Sequence, residues 1–154
     1  MTEAKSPKNP NSSRRHNRIA AVQFLYLWSM NPVPDLEDSL YHFLKMKEEP
    51  RPYYSFAEGL IQGAIQHQER IDALIQSCTE NWAFSRISKI DLALLRLALY
   101  ELLYRTDIPP IVSINECIEL SKVFSTEDSK RFLNGILDKV KGSLSRPFRK
   151  ADNP

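Results

Sequence analysis

The chain has 154 residues, of which 42% are hydrophobic and 26% are charged, enough for one domain whose core needs neither metal nor disulfide support. Its two cysteines, Cys78 and Cys117, lie outside any C-x-x-C pattern, which disfavours a zinc site or a disulfide framework and favours buried, reduced thiols. The N-terminus lacks the apolar core of a signal peptide and no run reaches membrane-spanning length, so we expect a soluble protein of the cytoplasm without a membrane partner.

The net charge of +2 is distributed unevenly along the chain. Residues 1–18 carry five Lys or Arg against Glu3, and residues 139–154 carry five against Asp152, so the residues between them carry six net negative charges. Basic ends suit a polyanionic partner. Solvated basic tails on unrelated proteins give the same pattern, so the charge distribution alone leaves both interpretations open.

The first half of the chain is predicted to form a tail and three helices. Residues 1–12 carry too little apolar surface to fold and are predicted to be a disordered basic tail. Ser13 is expected to cap a first helix over residues 14–29, and Asp35 a shorter second helix. Apolar residues on one broad face predict a long third helix over residues 53–78, whose Gly59 and Gly63 favour close helix packing.

The stretch from Lys89 to Arg105 is predicted to be the central helix of the domain. Its apolar residues fall on nearly every side of a helical wheel, which requires other helices around it, while Asp91 and Arg96 argue against a bilayer span. After the break at Pro109-Pro110, the S-x-x-E pattern from Ser113 predicts a capping box and hence the start of the next helix.

The last predicted helix follows a second capping signal at residues 125–128 and runs to about residue 141. Gly142 sits where the end of a helix favours a left-handed residue, and the basic C-terminal tail 143–154 is expected to return to disorder. Strand-like alternation is absent from the sequence. We therefore predict an all-α fold with six to seven helices, in a folded domain over residues 13–142.

Catalysis is not indicated by the polar residues. The three histidines, His16, His42 and His67, belong to different segments without the spacing of a zinc site. With four glycines and no G-x-G, the chain also lacks a glycine-rich phosphate loop. We therefore expect neither an enzyme nor a resident cofactor or metal.

Three arginines gather in the first turns of the first predicted helix. Arg14, Arg15 and Arg18 lie where the helix dipole is already positive, and they repel one another across one side of the helix. An external anion would relieve both effects, so the cluster is suited to a phosphate backbone. A solvated arginine cluster costs little when exposed, and composition supports both interpretations equally.

Four ordered blocks of the sequence carry a recognisable pattern. They are R-R-x-x-R-x-x-A-V-Q-x-L-Y-x-W at 14–28, I-D-L-A-L-L-R-L-A-L-Y-E-L at 90–102, D-I-P-x-x-V-x-I-N-E-C-I-E-L-S-K at 107–122 and F-x-x-E-D-S-x-x-F-L-N-G-I-L-D-K at 124–139. Together they resemble the NusB family of bacterial transcription antitermination factors. The resemblance implies two packed helical bundles, binding of the single-stranded boxA element of nascent ribosomal RNA together with the protein NusE, and action within a transcription elongation complex.

The resemblance also implies roles for individual residues. The arginine-rich RNA-binding motif of the family falls on Arg14, Arg15 and Arg18, and Tyr26 and Asp91 fall where the family meets NusE. A second patch that the family uses toward RNA corresponds to Asp128, Arg131 and Phe132. His16 and Ile19 depart from the family pattern, which often has arginine and glutamate there. Because His16 lowers the fixed charge at neutral pH, RNA affinity is expected to be weaker or more dependent on pH.

Each of these residues also has an interpretation without a ligand. Tyr26 can simply cover the first helix, Asp91 can serve the helix dipole, and Asp128 can be part of a cap. The helical wheel places Phe132 at the border of the buried face, where an aromatic ring can serve both the core and an unpaired base.

Two other functions remain open at this stage. One is a helical protein-interaction adaptor without RNA binding that uses the same surfaces to self-associate, including as a homodimer of the free chain. The other is the helical N-terminal domain of an RNA cytosine methyltransferase. It is disfavoured because the sequence ends near the last helix and leaves no segment to hold a methyl donor.

Overall fold

The structure is a computed structural model that describes residues 10–79 and 84–152. The described residues form seven α-helices with two short 3-10 turns and no strand, which confirms the predicted all-α class. Of the predicted tail 1–12, residues 1–9 lie outside the described part. The helices are α1 (Pro10–Met30), α2 (Leu36–Lys45), α3 (Ser55–Gln66), α4 (Gln68–Ser77), α5 (Lys89–Tyr104), α6 (Pro110–Phe124) and α7 (Glu127–Ser143), and the 3-10 turns are Arg51–Tyr54 and Phe84–Arg86.

Helix α5 is the centre of the fold, as its sequence predicted. Every residue from 91 to 99 is buried, and α5 packs against α1, α3, α4, α6 and α7. Helices α1 and α3 pack against each other as well as against α5, and so do α6 and α7. The result is two helical bundles that share α5, with the core continuous between them.

Two predicted caps form at the helix starts. The Oδ1 atom of Asp35 accepts the Asp38 N–H at 3.0 Å, and Thr126 Oγ1 accepts the Ser129 N–H at 3.2 Å. These bonds satisfy backbone donors that lack a partner at a helix N-terminus.

Other boundaries differ from the predictions. Helix α1 begins at Pro10, so Ser13 lies inside it, and its carbonyl accepts the Asn17 side-chain amide at 2.9 Å. The predicted helix over 53–78 is a 3-10 turn followed by α3 and α4, which separate at His67. Periodicity could not show this break, because the segments on both sides of it bury their apolar residues against α5.

The predicted capping box at Ser113 was wrong because tertiary partners take both of its side chains. Helix α6 begins three residues earlier with Pro110, a residue favoured in the first helical turn. The Ser113 hydroxyl donates to Glu101 at 2.9 Å, and Glu116 pairs with Arg15 on α1.

Gly63 has a role in helix packing, whereas Gly59 and Gly142 do not. A Cβ atom on Gly63 would lie 1.9 Å from Cζ of Tyr100, which confirms close packing of α3 on α5. At Gly59 the nearest atom would lie 3.9 Å away, an ordinary contact. Gly142 does not adopt the predicted left-handed conformation, and α7 continues through it to Ser143.

The C-terminal segment, residues 144–152, packs on the domain, so the expected disorder beyond Gly142 does not hold for these residues. The Arg146 guanidinium donates to the Ile108 carbonyl at 2.8 Å, and the Asp152 N–H donates to the Thr106 carbonyl at 2.7 Å. Among the described helices, none combines the length and apolarity needed to cross a bilayer.

Candidate nucleic-acid interface

Arg14 is the first arginine of α1 and lies four residues after its start at Pro10. Its side chain is exposed, and its Cζ lies 4.6 Å from the centre of the Phe56 ring. Within the described residues no carboxylate pairs with Arg14. A guanidinium that stacks on an aromatic ring keeps its N–H donors in its own plane, so Arg14 is positioned to bind a phosphate.

Arg15 joins α1 to α6 while staying partly open to solvent. Its Nε donates to Glu116 Oε2 at 3.1 Å and its Nη2 to Glu116 Oε1 at 2.8 Å. The hydrogen bonds and charge of Glu116 raise the pKa of Arg15, and 49% of the Arg15 side chain remains exposed. The remaining guanidinium donors can therefore still reach an anion.

The third arginine of the cluster, Arg18, is buried. Its Nε and Nη2 donate to the two carboxylate oxygens of Glu101 at 3.0 and 2.7 Å, and Ser113 donates to the same carboxylate. The side chains of Arg18 and Glu101 are only 3% and 2% exposed. This corrects the expectation that Arg18 faces RNA, because its charge is already neutralised inside the fold.

The two departures from the family pattern lie off the basic face. The Nδ1 atom of His16 is 2.9 Å from the hydroxyl of Tyr53, and its ring lies edge-on to the same side chain. Ile19 packs against the core. His16 therefore serves the packing of α1 on the 3-10 turn that precedes α3.

The start of α7 borders the same surface as Arg15. A hydrogen bond from Lys122 is the main cause of the lowered pKa of Glu119 on α6, and the charges of Arg15 and Lys130 lower it further. Glu119 thus has the basic end of α1 on one side and α7 on the other. The sequence interpretation did not single out Lys122 or Lys130, although both fall within the blocks that carry the family resemblance.

The second predicted RNA patch is accessible where it carries charge. Asp128 and Arg131 are exposed in the first turns of α7. Phe132 is partly buried and packs against the core, as expected for a residue at the border of the buried face. Phe132 therefore contributes to the core, whereas Asp128 and Arg131 face solvent.

Asp91 is engaged inside the protein rather than on its rim. It is 6% exposed, and its two carboxylate oxygens accept the hydroxyls of Ser125 at 2.8 Å and Ser129 at 2.9 Å. Its N–H is capped by Ser88 at 3.1 Å. The structure thus gives Asp91 an internal role that the sequence could not reveal, since it holds the α6–α7 junction on the start of α5.

Tyr26, the other predicted partner residue, lines an apolar groove beside this junction. The groove has a volume of about 550 Å³, and the neighbouring Leu27 is 54% exposed. The groove brings together α1, α2 and the facing ends of α5 and α6. Its lining residues are Gln23, Tyr26, Leu27, Phe43, Lys47, Ile90 and Phe124.

The cysteines lie apart and unpaired, and no cluster of three or more potential ligands for a metal occurs in the described part of the chain. Cys117 is buried as predicted, whereas Cys78 is only half-buried. Burial raises the pKa of the Cys117 thiol to about 12, so this group stays protonated at neutral pH.

Comparison with known proteins supports the family resemblance of the four sequence blocks. A family model described as the NusB family matches residues 15–141. The chain belongs to the NusB family. It is 42% identical over 128 residues to the transcription antitermination protein NusB of Methylacidiphilum infernorum (isolate V4), an alignment that spans 83% of this chain and 90% of that protein.

Solved NusB structures share the fold. T. maritima NusB superposes with a TM-score of 0.77 at 35% identity and covers 92% of this chain and 95% of its own. A crystal structure of antitermination factors NusB and NusE in complex with dsRNA gives a TM-score of 0.77 at 22% identity, with coverage of 86% and 98%. This second match concerns the fold alone.

Proposed function

We propose that this NusB-family chain is a transcription antitermination factor that binds the boxA element of nascent ribosomal RNA together with NusE and promotes complete transcription of ribosomal RNA operons. It acts in the cytoplasm as a non-catalytic adaptor in the transcription elongation complex and uses no cofactor or metal. The antitermination name of its relatives supports this role, and so does the NusB–NusE–RNA complex among its structural neighbours.

The observation that carries the proposal is the pair of accessible guanidinium groups in the second turn of α1. Arg14 has no acidic partner among the described residues, and Arg15 retains a half-exposed side chain beside Glu116. The phosphate backbone of a single-stranded nucleic acid is the ligand that fits these two cations.

The start of α7 supports a second stretch of contact with RNA. Arg131 offers an exposed cation and Asp128 an acceptor for base donors, and the partly buried Phe132 lies beside them. Basic side chains hold the backbone, and an aromatic residue next to them suits an unpaired base. Lys130 adds positive charge between this patch and Arg15.

NusE is proposed to bind the apolar groove lined by Tyr26. The exposed Leu27 and the ring of Phe124 give this groove the apolar centre typical of protein interfaces. Asp91 contributes as a positioning residue, since its bond to Ser125 fixes the chain directly after Phe124. The same groove favours the second candidate function, self-association of a helical adaptor without RNA binding.

The RNA proposal is tested with the double variant Arg14→Ala/Arg15→Ala and a short boxA-like single-stranded RNA. Fluorescence anisotropy at several salt concentrations should show weaker binding and a log–log salt slope reduced by roughly 1.4, at about 0.7 for each of two lost phosphate contacts. The exposed Arg86, at the opposite end of α5 from the Thr106 turn, provides a control substitution to Ala. Unchanged affinity and slope in the double variant would refute the assignment.

The partner surface is tested separately with Leu27→Asp, which places a charge in the groove without opening the core. Binding to NusE should weaken at least tenfold, because a buried unpaired carboxylate at an interface costs well over about 1.4 kcal/mol. Binding of RNA by the chain alone should stay unchanged. Normal NusE binding, with loss of a homodimer in analytical ultracentrifugation, would favour the self-association function instead.

A further inference from the structure

The C-terminal segment is anchored to the end of α5 by Arg146. The guanidinium of Arg146 donates to the carbonyls of Leu102 at 3.0 Å, Ile108 at 2.8 Å and Glu101 at 3.3 Å. The last four carbonyls of a helix have no partner within the helix, and Arg146 binds two of those at the end of α5, the carbonyls of Glu101 and Leu102. Burial lowers the pKa of Arg146, consistent with a guanidinium inserted among backbone groups.

Two backbone hydrogen bonds fix the path of the segment beyond Arg146. The Ile111 N–H at the start of α6 donates to the Phe148 carbonyl at 3.0 Å, and the Asp152 N–H donates to the Thr106 carbonyl at 2.7 Å. Arg149 and Lys150 lie between these two anchors, and both are exposed. Their positions on the surface are therefore set by the fold on either side of them.

The segment ends beside the proposed RNA-binding end of α1. Asp107, next to the Thr106 anchor, has a lowered pKa, mainly because it accepts hydrogen bonds from Arg105 and in smaller part because of the charge of Arg14. Arg105 and Arg14 stack on the same Phe56 ring, with centroid distances of 5.3 and 4.6 Å. The basic end of α1 and the turn that receives the C-terminal segment are therefore neighbours.

The charges that remain available on this surface are mostly positive. Arg105 and Asp107 neutralise each other, and Asp152 is the one acidic side chain of the described segment 144–152. Arg14, Arg149 and Lys150 are exposed cations. The two basic ends of the chain, far apart in sequence, thus form one surface with a net positive charge.

We propose that residues 144–152 extend the RNA-binding surface, with Arg149 and Lys150 binding phosphates of nucleotides that flank those held by Arg14 and Arg15. This inference rests on the proposed function. The ligand is the sugar-phosphate backbone of single-stranded RNA, which the charges of Arg149 and Lys150 bind without reading the base sequence. The guanidinium of Arg149 lies over the Phe148 ring, with its Cζ 5.9 Å from the ring centroid. The footprint on RNA is accordingly longer than the stretch contacted by α1.

The test compares two RNAs with the full chain and with the double variant Arg149→Ala/Lys150→Ala. One RNA is a short boxA-like single strand, and the other is the same RNA extended at both ends by unstructured nucleotides. The unmodified chain should bind the extended RNA more tightly and with a steeper salt slope. The variant should lose this advantage: loss of two contacts lowers the slope by about 1.4, so between 50 and 200 mM salt its affinity should fall about sevenfold less.

The control removes one Arg and one Lys elsewhere. Arg86→Ala/Lys89→Ala changes two exposed residues, one in the 3-10 turn before α5 and one at the first position of α5. The first position lies about 24 Å along the 16-residue helix from the end that Arg146 contacts. It should bind both RNAs like the unmodified chain. Circular dichroism melting of the two double variants should match, because all four side chains are exposed.

The outcomes separate this inference from the proposed function. If the unmodified chain binds RNA but the Arg149/Lys150 variant shows the same affinity and slope on the extended RNA, the inference is overturned and the proposed function stands. Equal losses on both RNAs, or a loss confined to NusE binding, also overturn it. Failure of the unmodified chain to bind either RNA overturns both.

Discussion

Replacement of Arg18 by methionine should destabilise the domain strongly, although Arg18 belongs to a cluster that the sequence places on a surface. Methionine keeps an unbranched apolar stem but removes the two donors that Arg18 provides to Glu101. The Glu101 carboxylate, with a side chain 2% exposed, would then keep only the hydroxyl of Ser113. Arg18→Met thus leaves an uncompensated negative charge between α1, α5 and α6.

The magnitude follows from the burial of the pair. Removal of one partner from a buried ion pair costs about 3–5 kcal/mol, a large share of the roughly 5–15 kcal/mol that stabilises a domain. With a urea dependence of about 2 kcal/mol per M, the unfolding midpoint should fall by about 2 M. Arg18→Met/Glu101→Leu should recover much of this loss, since an apolar pair of similar volume often replaces a buried ion pair at little cost.

Urea unfolding followed by circular dichroism, beside RNA titration of the folded fraction, decides the role of Arg18. Arg14→Met is the matched control: Arg14 is exposed, so stability should change by no more than about 0.5 kcal/mol while RNA affinity falls. The reasoning is refuted if Arg18→Met retains the normal midpoint and instead flattens the salt dependence of RNA binding.

Two further predictions concern packing and ionisation. Gly63→Ala should destabilise the protein by about 1–3 kcal/mol in thermal unfolding, because the new Cβ would lie 1.9 Å from the Tyr100 ring. Gly135→Ala, with open space around the new Cβ, should stabilise it by about 0.5–1 kcal/mol, and equal effects of the two substitutions would refute the packing argument. A thiol reagent at pH 8 should modify Cys78 before Cys117, which should react only on unfolding. Burial raises the pKa of Cys117 from 9.0 to about 12, so the stability contributed by its protonated thiol should be complete below pH 9 and be lost as the pH rises toward 12. A Cys117→Ala variant should lack this component of the pH dependence of stability. Identical stability–pH profiles for the variant and the unmodified chain would contradict this prediction.

Local signals in the sequence correctly predicted the helix starts whose capping groups lie close by in the chain. The caps at Asp35 and Thr126 formed as predicted because the groups they satisfy lie three residues away. The apolar residues all around α5 predicted its central position, since no other placement buries every side of a helix. The four sequence blocks likewise determined the family, which the match to residues 15–141 confirmed.

Predictions failed where a distant group competed with a local one. Ser113 had the pattern of a cap, but Glu101 on the neighbouring helix bound its hydroxyl. The C-terminal tail had the composition of disorder, but Arg146 met the open carbonyls at the end of α5. Neither partner can be read from the segment itself, because the sequence does not give the distance between groups on different helices.

The arginine cluster of the candidate site shows the same contrast between what the local sequence predicts and what distant partners decide. The sequence by itself determined that three cations gather in the first turns of a helix, where their mutual repulsion calls for a negative partner. Only the tertiary structure decided that Arg18 finds this partner in Glu101, 83 residues away, and Arg15 in Glu116, 101 residues away. Arg14 remains available for an external anion, because the packing of α1 against α5 leaves it without an ion pair among the described residues.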